Sequence, residues 1–405
     1  KTQVSAFVNA VSPYLSVGEL SESAHYLTSE DTLNALKVYT FYRLRGCMVE
    51  DIDDIASYLN DKMETLFTAI YPLNKSILYG VASQNGRANI VIGIERDDGT
   101  TSSVISGLLT GIELEKAPAS LQWTMGCAAQ GGFMSAIPVT KVDDKKQHFD
   151  ISGIMKSLMG KDYIVLFCAK PIPQEPIQQK FQSILAARDV CVGVSKRNVS
   201  LQQSVNDTKT ETTSATRKGI IQELLTQATH IKSFDWNAIG GAILNGGNTS
   251  NSVSDAKTIE ALAATAAFEM QNGIALEMVD YCDKAVERFR QGQNTGLWGV
   301  AVTYSAADDA SRKVLESCLT GEFAKPSPDL LPIKKCSYTT ARKNNKCSRI
   351  YLPNMDADNS LLAPLTSAEL GMICTPPSSA VPDFEIRRGK VYPMIPSDGS
   401  VVVGH

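Results

Sequence analysis

A strand followed by a helix occurs twice in this sequence, and this repeat limits the possible folds more than any other feature. In the first copy, the apolar run 163–169 ends at a proline-rich corner, 171–176, and a helical pattern begins at Ile177. In the second copy, the apolar run 297–304 is followed by an acidic-capped helical pattern over 307–319. We therefore predict an α+β fold in which duplicated strand-helix units form mixed sheets with helices on one face, together with a long helical segment.

A β-hairpin is predicted at Asn85-Gly86, which stands between the apolar runs 77–83 and 88–95. Both central residues of a two-residue hairpin turn need a positive φ angle, and Asn-Gly satisfies this requirement at little cost. The dipeptide is therefore the strongest local signal for a hairpin in the chain.

Three aspartates, Asp51, Asp53 and Asp54, precede a pattern of apolar residues at helical spacing over 55–70. Carboxylates at a helix start accept hydrogen bonds from free backbone amides and interact favourably with the helix dipole. A metal site is the alternative, but no histidine or further carboxylate stands at ligand spacing. We predict that these residues cap a helix.

The longest helical pattern covers 255–290, with a glycine at position 273. At 1.5 Å per residue this helix would span roughly 50 Å, with Gly273 as a point of kinking or breakage. Its many alanines would allow close packing against a partner helix, although a packed core helix has the same pattern.

Changes in composition divide the chain into five segments. Nine of the residues from Ser195 to Thr216 are Ser or Thr, so this stretch is predicted to be a solvated connector. The predicted segments are an N-terminal helical and β segment at 1–74, a first α/β layer at 75–190, a polar connector and helix at 191–254, a long helix and second strand-helix unit at 255–340, and a linker at 341–405.

Composition excludes several classes of protein. The net charge of the 405 residues is −4, so the chain as a whole does not attract nucleic acid electrostatically. Its nine cysteines include no Cys-x-x-Cys pair, which predicts reduced thiols in a cytoplasmic protein. No apolar run approaches the roughly 18 residues that a membrane helix needs, so we predict no membrane partner.

One segment, 334–349, is strongly basic and contains no acidic residue. Clustered Lys and Arg side chains release counterions when they bind a phosphate backbone, so this segment is a candidate nucleic-acid contact. A solvated basic loop is the alternative. The candidate contact residues are Lys334, Lys335, Arg342, Lys343, Lys346 and Arg349.

Other short motifs of known chemistry do not occur. The glycines at 241 and 246 have the spacing of a P-loop, but Gly247-Asn248 replaces the Lys-Ser/Thr that binds phosphate, which favours a flexible loop. The four histidines are scattered, and we interpret Cys168 and Cys318 as buried small hydrophobes. A Cys–His pair brought together by the fold stays open. We assign no catalytic, cofactor-binding or metal-binding residue in this chain.

The segment 363–387 begins with a helix-start signal. Thr366 stands three residues before Glu369, and Ser367 stands two residues before it. Either residue as the cap, with Glu369 near the third helical position, predicts a capping box at the start of a short helix. The proline pair at 376–377 would end this region, and the chain would then continue extended through Val381-Pro382-Asp383.

This segment resembles the element that precedes the motor domain of HerA/FtsK-type translocating ATPases, which include VirB/TraC-like conjugation ATPases and their relatives in phage-defence operons. In that family a Ser-x-Glu-Leu sequence is followed by proline and then Val-Pro-Gly. Here 367–370 reads Ser-Ala-Glu-Leu and 381–383 reads Val-Pro-Asp, with Asp383 at the usual glycine. The two strands also resemble strands of that family's N-terminal region, and the second follows Arg288-Phe289-Arg290.

The resemblance implies the non-catalytic N-terminal region of a hexameric ATPase, with 341–405 leading toward a motor domain outside this chain. No Walker A lysine and no Walker B carboxylate occurs, so the chain would end before the motor motifs. The implied partners are further copies of the chain in a hexamer, and DNA or an effector protein, in phage defence or conjugation. ATP and Mg²⁺ would belong to the motor domain, and whether this chain is itself an enzyme stays open. The alternative is a stand-alone structural or scaffold protein of a phage or secretion assembly, acting through its long helix.

Overall fold

The structure is a computed structural model, and it describes most of the chain outside the region 201–266. The described residues are 26–50, 52–117, 124–125, 130–142, 145–200, 267–271, 273–325, 333–338, 347–348, 350–355 and 361–389.

The fold is α+β, as predicted, with helices packed around a large sheet. The helices are α1 (Ser29–Leu36), α2 (Ile55–Ile70), α3 (Thr100–Leu108), α4 (Ile151–Ser157), α5 (Gln174–Ser195), α6 (Gly273–Thr295), α7 (Asp309–Phe323) and α8 (Ser367–Ile373). None of these described helices has both the length and the apolar character that crossing a membrane requires.

The strands confirm the predicted positions of both repeated β segments. They are β1 (Tyr39–Val49), β2 (Ile77–Gln84), β3 (Arg87–Glu95), β4 (Ile112–Lys116), β5 (Thr124–Met125), β6 (Gln130–Ser135), β7 (Lys141–Val142), β8 (Lys145–Lys146), β9 (Tyr163–Pro171), β10 (Lys196–Ser200), β11 (Ala267–Gln271), β12 (Leu297–Ala306), β13 (Lys334–Ser337), β14 (Cys347–Ser348), β15 (Ala363–Thr366) and β16 (Glu385–Arg388).

The described residues divide into two compact units. One contains 175–200, 267–271 and 273–290, and the other contains the remaining described residues on either side, 26–174 and 291–389. In the sequence, the described residues of the first unit stand between the two parts of the second.

The larger unit is built on a ten-stranded sheet with the order β13-β6-β12-β9-β2-β3-β1-β16, in which β15 also pairs with β12 and β4 with β1. The pairs are antiparallel except for β1 and β16, so the sheet is mixed. The two repeated strands, β9 and β12, are neighbours at its centre. Their register runs from Tyr163 opposite Ala306 to Pro171 opposite Trp298.

Both faces of the sheet are buried. On the first face, Leu166 and Cys168 of β9 pack in one cluster with Leu36 of α1 and with Ile350 and Leu352. The helix α1 therefore lies on the face opposite α2 and α7, whereas the sequence had placed the helices together on one face. This coverage explains why β9 and β12 read as continuous apolar runs and do not alternate with polar residues.

The second face carries aromatic residues and the packed helices. Phe167 of β9 contacts Phe149, with ring centroids 5.7 Å apart, and Phe149 contacts Phe323 of α7 at 5.3 Å. Trp298 of β12 contacts Phe67 of α2 at 5.7 Å. Edge-to-face pairs of this kind add specific geometry to the burial of large apolar surfaces.

The local predictions for the first part of the chain are confirmed. Asn85 and Gly86 have φ angles of 53° and 73° in the turn between β2 and β3. Asp54 caps α2 by accepting a hydrogen bond from the amide of Ser57 at 2.9 Å. Asp51 lies outside the described residues.

The long helix predicted over 255–290 is wrong at residues 267–271. Residues 267–271 form β11, which pairs with β10 in an antiparallel ladder from Lys196 opposite Gln271, and α6 begins only at Gly273. Phe268 and Met270 alternate with less apolar residues, and this period suits a strand. The connector predicted from Ser195 thus starts with a strand, and residues 201–266 lie outside the described part of the chain.

Residues 363–388, predicted to belong to a linker, lie within the larger unit and pair with its sheet. The strand β15 pairs with β12, and β16 pairs with β1. Between them, α8 packs against α2 so closely that a Cβ atom added at Gly371 would lie 2.7 Å from the backbone nitrogen of Glu64 and 2.9 Å from its Cα. The backbones of the two helices therefore meet at a glycine.

We predict that Gly371→Ala destabilises the protein by about 1–3 kcal/mol, because the added methyl group must separate two packed helix backbones. Gly321→Ala in α7 is the matched control, since an added Cβ there meets nothing within 4 Å. The control should raise stability by about 0.4–1 kcal/mol. Chemical denaturation of both variants measures the difference, and equal effects of the two substitutions would contradict the close packing of α8 on α2.

Candidate functional site

Glu316 of α7 is at the centre of a charged cluster on the second face of the sheet. Its carboxylate accepts a hydrogen bond from Arg312 Nη1 at 2.9 Å and one from Lys335 Nζ at 3.1 Å. The phenol of Tyr304 also hydrogen-bonds to this carboxylate. One side chain thus joins α7 to strands β12 and β13.

The helix α7 positions the acidic and basic members of this cluster. Asp308 caps the helix by accepting a hydrogen bond from the amide of Ser311 at 2.8 Å. Asp309, in the first turn, forms an ion pair with Arg312 at 2.8 Å, and Glu316 follows four residues later on the same helix face. The capping aspartates predicted at this helix start are therefore confirmed in their structural role.

The electrostatics of the cluster favour a structural role over acid–base chemistry. Burial, and then the charge of Glu316, raises the pKa of Tyr304, while the positive charge of Arg312 opposes this shift. A hydrogen bond with Asp309 raises the pKa of Arg312. The phenol thus stays protonated at neutral pH, and both basic groups are paired with carboxylates. Each exposed ion pair contributes little, but together they fix α7 against the sheet.

The predicted nucleic-acid residues Lys334 and Lys335 are neighbours in β13, so their side chains point to opposite faces of the sheet. Lys335 is the ion-pair partner of Glu316. Lys334 is only 7% exposed, and burial lowers the pKa of its ammonium group. Both residues have roles inside the fold. The other four candidates, Arg342, Lys343, Lys346 and Arg349, lie outside the described residues.

Sequence reasoning did not connect Tyr304, Glu316 and Lys335. They lie on three consecutive elements, and no local spacing relates a strand residue to a residue of the helix that follows. The order of the elements in the sequence could have indicated the contact between Tyr304 and Glu316. A helix that directly follows a strand usually packs back against it, so one face of the helix contacts that strand.

The segment that resembles the pre-motor element starts with the predicted capping box. The Thr366 hydroxyl accepts a hydrogen bond from the Glu369 amide at 3.3 Å, and the Glu369 carboxylate accepts one from the Thr366 amide at 2.8 Å. Trp298 Nε1 donates to Ser367 Oγ at 3.1 Å, and that hydroxyl donates to the carbonyl of Thr295 at 2.7 Å. The start of α8 is therefore fixed to the start of β12.

Asp383, which stands at the usual glycine of the resembled family, has a left-handed backbone conformation with a φ angle of 66°. It occupies the third position of a tight turn whose ends, Val381 and Phe384, exchange two backbone hydrogen bonds of 3.2 and 3.1 Å. A turn with proline at its second position and a positive φ at its third has the pattern of type II, which favours glycine there. Aspartate tolerates this conformation better than most residues.

Of the other candidate residues, Cys168 and Cys318 lie in the described part of the chain. Cys168 is 1% exposed, and burial raises the pKa of its thiol, so its predicted role as a small hydrophobe is confirmed. Cys318 is partly exposed. The glycine-rich loop around 241–248 lies outside the described residues. Within the ranges that the structure describes, no three His, Cys, Asp or Glu residues form a group that could hold a metal ion.

A scan against protein-family models found no matching family, and a search of curated proteins found no match. The resemblance to the translocating ATPases therefore depends on the short motifs and on the geometry of the residues that carry them.

We predict that Lys334→Met removes part of the pH dependence of stability between neutral pH and pH 10.5. Burial lowers the pKa of Lys334 in the folded state below its ordinary value of 10.5, so the unfolded state binds more protons between those two pKa values. Stability of the natural protein should therefore rise with pH across that interval, and the methionine variant should lack this part of the rise.

Lys335→Met is the matched control, because its side chain is on the same strand but half-exposed and paired with Glu316. We expect a loss of roughly 0–1 kcal/mol from this control. Thermal unfolding from pH 7 to pH 10.5 separates the two variants. A pH-independent effect of Lys334→Met would show that its charge is not disfavoured in the fold.

Proposed function

We propose that this chain is a non-catalytic region of a HerA/FtsK-like hexameric ATPase that assembles protomers and engages DNA or a partner protein. The observation that carries the proposal is the backbone of Asp383. The family motif has glycine at this position, and here the φ angle of 66° is one that favours glycine. The turn thus gives a physical reason for glycine at the third position of the Val-Pro-Gly motif. It supports the alignment of Val381-Pro382-Asp383 with that motif.

The surroundings of the turn support a mechanical role for this region. Phe384 is buried, and the next residues form β16, which pairs in parallel with β1 from Gly46 opposite Glu385. Upstream, α8 packs against α2 and is fixed to β12 through Ser367. A segment held at both ends by the central sheet can pass a displacement at its C-terminal side to the whole unit.

ATP and Mg²⁺ belong, in this proposal, to a motor domain outside these residues. A P-loop needs Gly-x-x-x-x-Gly-Lys-Ser/Thr, and this sequence has Gly247-Asn248 where its best match needs Lys-Ser/Thr. The residues of this chain therefore do not fit a nucleotide in the manner of a P-loop. Their role is to assemble and to bind.

We place the protein in the cytoplasm. Seven of the described cysteines form no disulfide, and most of these are buried: Cys47, Cys168, Cys191, Cys282 and Cys374, with Cys318 and Cys336 partly exposed. Cysteines without disulfides in this number are typical of a reducing compartment.

The scaffold alternative depended on a helix running from 255 to 290. Because α6 begins at Gly273 and follows strand β11, that helix is shorter than the alternative required. A sheet-based unit with a pre-motor turn favours the motor-associated role.

The oligomeric state of the natural full-length gene product tests the proposal. We expect native mass spectrometry to show a closed assembly of six copies whose population increases with ATP and Mg²⁺. A monomer unaffected by nucleotide would overturn the proposal. An open-ended assembly that ignores nucleotide would favour the scaffold alternative.

DNA engagement makes a separate prediction about the basic segment. Replacing Arg342, Lys343, Lys346 and Arg349 by alanine should weaken DNA binding and flatten its dependence on salt. Each lost phosphate contact should reduce the slope of log K against log salt by about 0.9 for duplex DNA. Lys334 and Lys335 are left intact because both have roles within the fold.

A control with the same loss of charge replaces four exposed basic residues elsewhere, Lys37, Arg87, Lys141 and Lys170. We expect this control to leave the slope of log K against log salt nearly unchanged, because that slope depends on the number of phosphate contacts and not on the net charge of the protein. Binding measured by fluorescence anisotropy between 50 and 200 mM salt, roughly the range over which phosphate contacts are resolved, compares the two variants. An unchanged slope in the first variant would remove the segment from DNA binding.

A further inference from the structure

Two cysteines of the smaller unit, Cys191 on α5 and Cys282 on α6, lie side by side. Their side chains interact with each other, and the residues are 5% and 3% exposed. They are 91 positions apart in the sequence, so the fold alone brings them together. The proposed assembly and DNA-binding roles make no use of this pair.

An ion pair holds the two helices in register beside the thiols. Arg188 Nε donates to the Asp283 carboxylate, and these residues stand three positions before Cys191 and one position after Cys282. Residues three apart share one face of a helix. The guanidinium and the carboxylate therefore connect α5 to α6 at the same level as the two sulfur atoms.

The two thiols differ in acidity in the way that disulfide chemistry requires. The hydrogen bond from Cys191 lowers the pKa of the Cys282 thiol, burial and the charge of Asp283 oppose this shift, and Arg188 adds to it. The same hydrogen bond, together with burial, raises the pKa of the Cys191 thiol. Cys282 is thus the thiol that more readily becomes a nucleophilic thiolate, and Cys191 is the thiol beside it.

The other buried cysteines lack this arrangement. Burial raises the pKa of the thiols of Cys47, Cys168 and Cys374, and for none of these three does a hydrogen bond from another thiol offset that effect. A thiol of raised pKa reacts slowly with disulfides, because the thiolate is the nucleophile. The contrast singles out the pair on α5 and α6.

The pair also lies just beneath the surface. Val192, next to Cys191, is 41% exposed, and the side chain of Asp283, next to Cys282, is 48% exposed.

We propose that Cys191 and Cys282 form a reversible redox pair, which a small-molecule disulfide such as oxidised glutathione converts to an intramolecular disulfide between α5 and α6. The Cys282 thiol loses its proton, and its thiolate attacks one sulfur of the small disulfide. The S–S bond of that molecule breaks, a mixed disulfide forms, and one thiolate leaves. Cys191 then loses its proton and attacks Cys282 Sγ, releasing the second thiolate. Two protein thiols are oxidised, and one small disulfide is reduced to two thiols.

Peptide mapping tests the proposal without ambiguity. After trypsin, Cys191 lies in the peptide 189–196 and Cys282 in the peptide 258–284, and neither peptide contains another cysteine. We expect the reduced protein, incubated with oxidised glutathione and then alkylated, to yield these two peptides joined by a disulfide. Dithiothreitol should separate them again.

Variants distinguish the roles of the two sulfur atoms. Cys191→Ser should stop the reaction at a mixed disulfide on Cys282, because no second thiol is present to resolve it. Cys282→Ser should leave Cys191 less modified than Cys282 is in the Cys191→Ser variant, because burial still raises the pKa of the Cys191 thiol. Cys318→Ser, on α7 in the other unit, is the matched control and should leave the crosslink unchanged.

Three results would overturn the proposal. The first is that both cysteines of the natural protein are still alkylated after incubation with oxidised glutathione. The second is a mixed disulfide on Cys282 that persists although Cys191 is present. The third is that disulfides among other cysteines form as readily as this one. Circular dichroism of each variant before oxidation shows that the fold is intact, so a missing crosslink reports on the thiols. Because the readout is a covalent bond, its failure is independent of the oligomeric state and of DNA binding.

Discussion

The antiparallel pairing of β9 and β12 is the constraint on which the larger unit depends. Each strand is buried on both faces, so every neighbouring element must cover one face or extend one edge. Where β12 carries a buried polar group, the group has partners: the Thr303 hydroxyl donates to the carbonyl of Tyr351 at 2.7 Å and accepts a hydrogen bond from Tyr338 at 2.5 Å. This satisfies the requirement that buried polar groups be hydrogen-bonded, and it attaches the segment around 350 to the sheet.

A second consequence of this pairing is the junction around Trp298, at the start of β12. The indole contacts the ring of Tyr71, with centroids 5.7 Å apart, and the Tyr71 hydroxyl donates to the carbonyl of Ile172 at 2.5 Å, just after β9. The indole nitrogen donates to Ser367 at the start of α8. Two aromatic residues, Trp298 and Tyr71, therefore fix the end of one repeated strand, the start of the other and the start of α8.

Features that depend only on residues close together in the sequence could be predicted. The turn at Asn85-Gly86, the cap at Asp54 and the capping box at Thr366 each depend on residues within a few positions, and all three are confirmed. The helix predicted over 255–290 is wrong at 267–271 because β11 is stabilised by pairing with β10, about 70 positions earlier, and a periodic pattern does not reveal this pairing. The contacts of Glu316 with Lys335, and of Cys191 with Cys282, are non-local in the same sense and left no signal in their spacing.

Many charges in the described part of the chain are paired over short distances, and this limits how the protein can recognise a partner. Glu316 is paired with two cations, Arg45 with Glu115 at 2.8 Å, and Arg387 with Glu113 and Glu385 at 3.3 and 2.8 Å. The electric fields of such pairs cancel within a few ångströms, and salt screens the remaining field beyond roughly 8 Å. In the role that we propose, long-range attraction to DNA therefore comes from the run of basic residues at 342–349, while contacts between protomers depend on shape. On the same proposal, the packing of α8 and the register of β16 set the geometry of recognition at short range.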